Sequence, residues 1–365
     1  MHPAKIKRGL KKVQREMEAR KKTRTIYVGE VPIGGENPVV VQSMTKTDTA
    51  DVKSTVKQIK SLEVSGCEIV RLAVPDINAA KALGKIKKSI NIPMIADIHF
   101  DWRLALEAIN QGVDGLRINP GNIGAKWKVK EVVTAAGGKT PIRIGVNAGS
   151  LEKELLRKYG HPKAEALVES AERHIQILEE LNFYNIKVSL KASDVVKTVE
   201  AYRLFSERYD YPVHIGISEA GPPSRGIIKS SVGLGILLSE GIGDTIRVSL
   251  TAEPQEEVRV AYEILKSLGL RKRGIDIISC PTCGRCRIDL KGLVKKVESK
   301  LKHVNKPITV AVMGCVVNGP GESREADYGL AGGKGRGIIF RKGKILKSVR
   351  EEELLGALLE EIEEK

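Results

Sequence analysis

Between residues 38 and 251, short β-branched runs alternate with longer stretches whose apolar positions recur every three or four residues. The runs occupy residues 39–43, 68–74, 93–99, 115–119, 142–147, 186–192, 213–218 and 246–250. Their length and composition predict buried strands. Between them, Val52, Val56, Ile59 and Leu62 fall on one helical face, as do Leu167, Ala171, Ile175 and Leu178. Strand alternating with helix implies a parallel sheet. Eight such units in about 215 residues have the size of a (β/α)8 TIM barrel. A doubly wound sheet would normally carry a Gly-rich phosphate fingerprint after its first strand; none follows residues 39–43.

The barrel pattern ends near Gly269. Pro254 and the acids around it suit the first turn of a last helix, and Val258, Ala261, Ile264, Leu265 and Leu268 give its buried face. A basic linker follows at 270–274, then a smaller α/β unit. Strands are expected at 275–279, 308–313 and 338–340, helices at 290–301 and 351–364, and a Gly-rich loop at 329–337. The organisation reads as a basic N-terminal extension (1–24), a barrel domain (25–269) and a second α/β domain (270–365).

Composition narrows the class. A chain of 365 residues with 41% hydrophobic content can bury more than one core. The longest apolar runs are too short to span a bilayer, and the basic first two dozen residues have no apolar centre of the signal-peptide kind. A soluble cytoplasmic protein, with no membrane partner, is expected. The net charge of +16 raises a nucleic-acid hypothesis. Aromatic content of only 4% and the lack of a recognisable nucleic-acid module argue against it, and a Lys/Glu-rich solvated surface accounts for much of the excess.

The functional face of such a barrel lies at the carboxyl ends of its strands. Those ends carry Gln42 and Thr45, Arg71, Asp97 and His99, Arg117 and Asn119, Arg143 and Asn147, Lys191 and Ser193, Glu219, then Arg247 and Ser249. Arg117, Arg143, Lys191 and Arg247 interrupt apolar strands, where a charge is costly unless it is paired or serves a ligand. Several cations meeting at one mouth imply an anion between them, and guanidinium forks match phosphate oxygens. The pattern points to a substrate with more than one phosphate. Asp97 is the expected structural partner of Arg71 or Arg117. Glu219 ends a strand with small residues after it, which suits proton transfer or substrate positioning; a plain salt bridge is the alternative.

The second domain carries Cys280-Pro281-Thr282-Cys283-Gly284-Arg285-Cys286 and, on a distant loop, Cys315 with Glu322 seven residues later. Thiolates at this spacing hold soft metals. Five cysteines in a chain of this length do not suggest a disulfide framework. Zinc with Cys286 as fourth ligand and an iron–sulfur cluster with a carboxylate ligand both remain open at this point, as do free thiols. A carboxylate on one iron would leave that iron open to substrate. Cys67 reads as a buried small residue.

Taken together, residues 41–49, 96–100, 117–122, 218–221, 279–285 and 314–322 resemble, in colinear order, the bacterial 4-hydroxy-3-methylbut-2-enyl diphosphate synthases. Those motifs read VQSMTKTDT, ADIHF, RINPGN, SEAG, SCPTCGR and GCVVNGPGE. The resemblance spans residues 24–350 and implies a TIM barrel followed by a [4Fe-4S] domain of the sulfite/nitrite-reductase type. It implies reductive ring opening of 2-C-methyl-D-erythritol 2,4-cyclodiphosphate in isoprenoid biosynthesis, with reduced ferredoxin or flavodoxin as electron donor. Matching positions make Cys280, Cys283, Cys315 and Glu322 the cluster ligands and Glu219 the acid–base residue. Arg71, His99, Arg117, Asn119, Arg143, Asn147, Lys191, Ser193, Arg247 and Ser249 would bind the substrate. In that family the cluster domain of one subunit caps the barrel of another, which implies a homodimer. Cys286 matches none of the implied ligands. Readings from other classes are a zinc-stapled nucleic-acid-binding barrel and a pterin-type barrel methyltransferase.

Overall fold

A computed structural model describes residues 19–315 and 323–363. They divide into two compact units, one ending at Arg271 and the other starting at Lys272.

The first unit is the (β/α)8 barrel. A short antiparallel hairpin, β1 (Ile26–Val28) and β2 (Val31–Ile33), precedes eight parallel strands. These are β3 (Val40–Met44), β4 (Ile69–Ala73), β5 (Met94–Asp97), β6 (Gly115–Ile118), β7 (Ile142–Asn147), β8 (Ile186–Lys191), β9 (His214–Ile215) and β10 (Thr245–Ile246). They pair in the order β8-β7-β6-β5-β4-β3-β10-β9, and a parallel bridge from Val188 to Val213 closes the ring. Four of the following helices begin at an aspartate after the strand. Asp51, Asp76, Asp101 and Asp194 accept backbone N–H groups of the first turn, satisfying donors that a helix start otherwise leaves unpaired.

The hairpin was not anticipated. Ile26, Val28 and Ile33 pack against Val40, Ile69 and Ile95, the inward residues at the amino ends of β3, β4 and β5. It therefore plugs the barrel at the end opposite the polar ring. Asp244 ties the preceding segment to the same end, accepting from Arg20 (2.7 Å) and Thr23 (3.0 Å). Strands β9 and β10 are shorter than the runs 213–218 and 246–250 suggested. Their continuations keep single backbone bonds, from Ser218 N–H to Ala192 O (3.0 Å) and from Arg247 N–H to Ile215 O (3.1 Å). They then leave the ladder to line the mouth of the barrel.

The second unit is a five-stranded sheet in the order β11 (Ile275–Ser279), β12 (Ile308–Met313), β13 (Tyr328–Ala331), β14 (Arg336–Arg341) and β15 (Lys344–Arg350). The first three strands are parallel and the last three antiparallel. Helices Leu290–Leu301 and Leu354–Glu363 cover one face through Leu290, Val297, Leu301, Leu354 and Leu358. Strands β13 and β15 were not expected, and the Gly-rich loop shrinks to the turn between β13 and β14. Among the described residues no helix is long and apolar enough to cross a membrane.

Candidate active site

Side chains two residues apart on a strand share a face, and this alternation assembles the site. Arg71 on β4, Arg117 on β6, Arg143 and Asn147 on β7, and Lys191 on β8 point into the barrel. His99, Asn119, Ser193, Glu219, Arg247 and Ser249 stand just past the ends of their strands. All eleven line one cavity of about 970 Å³ at the carboxyl end of the barrel. The described residues of its lining all lie between Lys46 and Glu257.

Two carboxylates organise part of the positive charge. Asp97, nearly buried, faces Arg117 (3.2 Å) through one oxygen and Arg71 (3.4 Å) through the other. Burial opposes its ionisation, but Arg71, Arg117 and Arg143 outweigh burial and hold the carboxyl below its usual range. Glu257, 1% exposed, faces Arg247 (3.4 Å) and Lys46 (3.2 Å) and accepts from Ser43 Oγ (3.2 Å) and the Leu250 N–H (3.1 Å). The sequence reading placed Glu257 only in the first turn of the last barrel helix. Its role as the second acid of the site shows only once that helix is packed on the barrel.

Among the described residues, Arg143 and Lys191 have no carboxylate of their own. Arg143 is buried, and among the described residues its Nε and Nη1 have no hydrogen-bond partner. Burial, reinforced by Arg71 and Arg117, pushes its pKa well below the ordinary guanidinium value. Lys191 is displaced downward in the same way, by burial first and then by Arg143, Arg71, Arg247 and Arg117. Burial lowers Arg71 to about 10, with Asp97 opposing. Cations forced together against their own solvation are a receptor for negative charge.

Close packing fixes their directions. Arg117 donates to the Gly145 carbonyl (2.8 Å), and Asn119 exchanges two hydrogen bonds with the Gly145 backbone (2.8 and 3.0 Å). A Cβ on Gly145 would collide with the Arg117 guanidinium, and one on Gly216 would stand 2.6 Å from Lys191 Nζ. His99 lies 2.9 Å from Arg117 Nη1. Burial and Arg117 lower its pKa, which favours a neutral imidazole that accepts from the guanidinium. Glu219 is exposed and takes φ of +51°, a left-handed conformation uncommon outside glycine.

The cysteines stand on adjacent strand ends of the second unit. Ser279 pairs with Val312, so the loop after β11 and the loop after β12 leave the sheet side by side. The Gly314 N–H donates to Cys280 Sγ (3.4 Å). Cys283 is exposed, and hydrogen bonds from Arg285 lower its thiol pKa. Cys286 is half-buried, donates to the Ile288 carbonyl (3.4 Å) and packs where a Cβ on Gly314 would stand. Cys67 is buried in the barrel, and burial raises its thiol to about 12. No three His, Cys, Asp or Glu side chains among the described residues converge as a metal-binding group. Cys280, Cys283 and Cys315 are free thiols, and Glu322 lies outside the described residues. As a donor set, two partly exposed thiols and one acidified thiol on neighbouring loops fit an iron–sulfur cluster better than a hard cation.

Residues 23–262 match the GcpE TIM-barrel domain, and residues 276–364 match the GcpE protein C-terminal domain. A 4-hydroxy-3-methylbut-2-en-1-yl diphosphate synthase (flavodoxin) from Thermodesulfovibrio yellowstonii is 70% identical over 347 residues, covering 95% of this chain and 99% of that protein. Its namesake from Geobacter sulfurreducens is 63% identical, covering 94% of this chain and 97% of that protein. Among solved structures, dihydropteroate synthase from Stenotrophomonas maltophilia superposes with a TM-score of 0.51 at 10% identity, covering 68% of this chain and 97% of that one. That likeness extends to the barrel fold alone.

Proposed function

The chain belongs to the GcpE family, and on that premise we propose that it converts 2-C-methyl-D-erythritol 2,4-cyclodiphosphate to 4-hydroxy-3-methylbut-2-enyl diphosphate. The conversion adds two electrons and releases water. The observation that carries this reading is the set of buried cations, Arg143 and Lys191 above all, that converge on one cavity without a carboxylate of their own.

In this reading Arg71, Arg117, Arg143, Lys191 and Arg247 hold the diphosphate. When the ring C–O bond breaks, negative charge grows on the phosphate oxygen that leaves, while the diphosphate stays attached at its other end. Cations already in place stabilise that charge without reorganising, which is commonly the largest protein contribution to such a step. Neutral His99, Asn119, Asn147, Ser193 and Ser249 supply polar contacts that orient the carbon skeleton. Glu219, exposed at the cavity rim, delivers the proton with which the hydroxyl departs as water. Cys280, Cys283 and Cys315, together with Glu322, would hold a [4Fe-4S] cluster, which supplies single electrons when bound. Flavodoxin, the donor in the relatives' name, is proposed here too, with ferredoxin as the alternative donor. A homodimer in the cytoplasm completes the reading.

The test is anaerobic. Protein prepared without oxygen should be brown and contain about four irons per chain. It should turn over the cyclic diphosphate with reduced flavodoxin, and parallel assays with ferredoxin rank the donors. Colourless protein carrying one zinc per chain would sink the proposal. Light scattering reports the dimer.

A further inference from the structure

Beneath the cavity lies a charged residue that the proposed reaction does not use. Lys187, Ser189 and Lys191 share the inward face of β8, and the latter two line the cavity. Lys187 stands one layer deeper. It is 1% exposed and pairs in register with Arg143 on β7. Among the described residues its Nζ has no hydrogen-bond partner. Unmet hydrogen-bonding capacity lies beside it among the described residues, in Arg143 Nε and Nη1 and in His214 Nε2. The other His214 nitrogen is taken by Thr245 Oγ1 (2.7 Å).

The charged groups facing Lys187 are mostly cations. Arg143 comes from β7 and Arg71 from β4; Lys191 and His214 extend the set on β8 and β9. The facing carboxylate is Asp244, which already accepts from Arg20, Thr23 and the Val213 N–H. Burial, then Arg143, brings the Lys187 amine down to about 7. A methionine would fill this position at lower cost, since an unpartnered buried amine destabilises the fold. The compensating interaction is therefore sought in the ligand. A cyclic diphosphate would bring two negative charges to Arg143, beside Lys187 on the neighbouring strand, and to Lys191 above it.

Building on the proposed cyclic-diphosphate substrate, we propose that Lys187 is a positioning residue that takes up one proton from solvent when the diphosphate binds. The amine lone pair accepts the proton and no electrons move. The new ammonium, beside Arg143 on the neighbouring strand, repels that guanidinium toward the ligand. Lys191, His99 and His214 are also able to gain protons, so Lys187 is assigned by difference between wild type and variant.

Titration calorimetry of the intact holoprotein with the cyclic diphosphate at pH 8, in buffers of contrasting ionisation enthalpy, counts the protons. Each phosphorus of the ligand carries one ester and one anhydride oxygen, so its single acidic group is fully ionised near neutrality and the uptake belongs to the protein. Wild type should gain protons, and Lys187→Met should gain fewer by about half to one. The rise of log KM with pH above 7 should lose about one unit of slope in the variant.

Stability adds a readout. The folded pKa of Lys187 lies below its unfolded value, so the unfolded chain binds a proton that the folded chain lacks. The resulting penalty is present at pH 7 and fades as pH rises toward the unfolded value. Lys187→Met should therefore raise Tm, by more at pH 7 than at pH 9.5. Equal proton uptake in wild type and variant overturns the proposal. Binding without any uptake by wild type overturns it without recourse to a variant, and leaves the proposed function standing. A holoprotein that binds no cyclic diphosphate overturns both.

Discussion

At Asp97 one carboxylate meets two guanidiniums. Asp97→Asn would leave Arg71 and Arg117 facing Arg143 with no compensating charge, a change that costs about 3 kcal/mol in comparable buried pairs. The expected outcome is a lower Tm that millimolar sulfate partly restores, because an anion between the cations replaces the lost charge. Absence of any rescue would show that the cations do not accept anions. The Asp97 pKa is depressed in the folded state, so its contribution is present above the unfolded value and is lost as pH falls through the folded one. Wild type and variant should thus converge in acid. Glu219 tests the other half of the site. Its φ of +51° stores strain where the proton transfer is proposed. Glu219→Gln is expected to lower kcat by about 100-fold or more with KM little changed. A rise in KM alone would make it a positioning residue. Glu219→Gly should relax the backbone and stabilise the fold by about 0.5–1 kcal/mol while abolishing that proton transfer.

Among the elements, the barrel strands were legible because their cations stand at alternate positions inside apolar runs, a pattern that only an inward-facing polar layer explains. The same alternation contains Lys187, two and four residues before Ser189 and Lys191, so its inward position is equally legible in the sequence. Strand β13 was hidden by a misleading glycine. Gly329 signals a turn in isolation, but the ring of Phe340 occupies the space its Cβ would need, so the glycine serves packing. Strand β15 is an edge strand with mostly exposed side chains, and its polar content resembles a connector. The hairpin β1–β2 has three residues per strand, below the length at which periodicity is informative. Glycine also decides a prediction at β7. Any Cβ at Gly145 collides with Arg117, so Gly145→Ala should displace the guanidinium and raise KM about tenfold or more, the effect of losing one charge-assisted contact of about 1.5–3 kcal/mol. An unchanged KM would place the diphosphate elsewhere in the cavity.

Across the molecule, charge and soft donors are kept apart in sequence. The described residues that line the cavity belong to the first unit, and the clustered thiols belong to the second. Part of the net charge of +16 is therefore not a solvated surface, since Arg71, Arg117, Arg143, Lys187 and Lys191 face the barrel interior. This separation makes binding and reduction independently testable. Oxidative removal of iron from the anaerobic protein should abolish turnover. The cations belong to the first unit and are expected to stay in place. Affinity for the cyclic diphosphate should then stay within about tenfold of the iron-loaded value, a difference of at most about 1.4 kcal/mol. Reconstitution with iron and sulfide should restore turnover without changing that affinity further. If affinity instead collapsed with the iron, the diphosphate-binding energy would have to come from the second unit, and the unpaired cations of the barrel would need another anion to explain them.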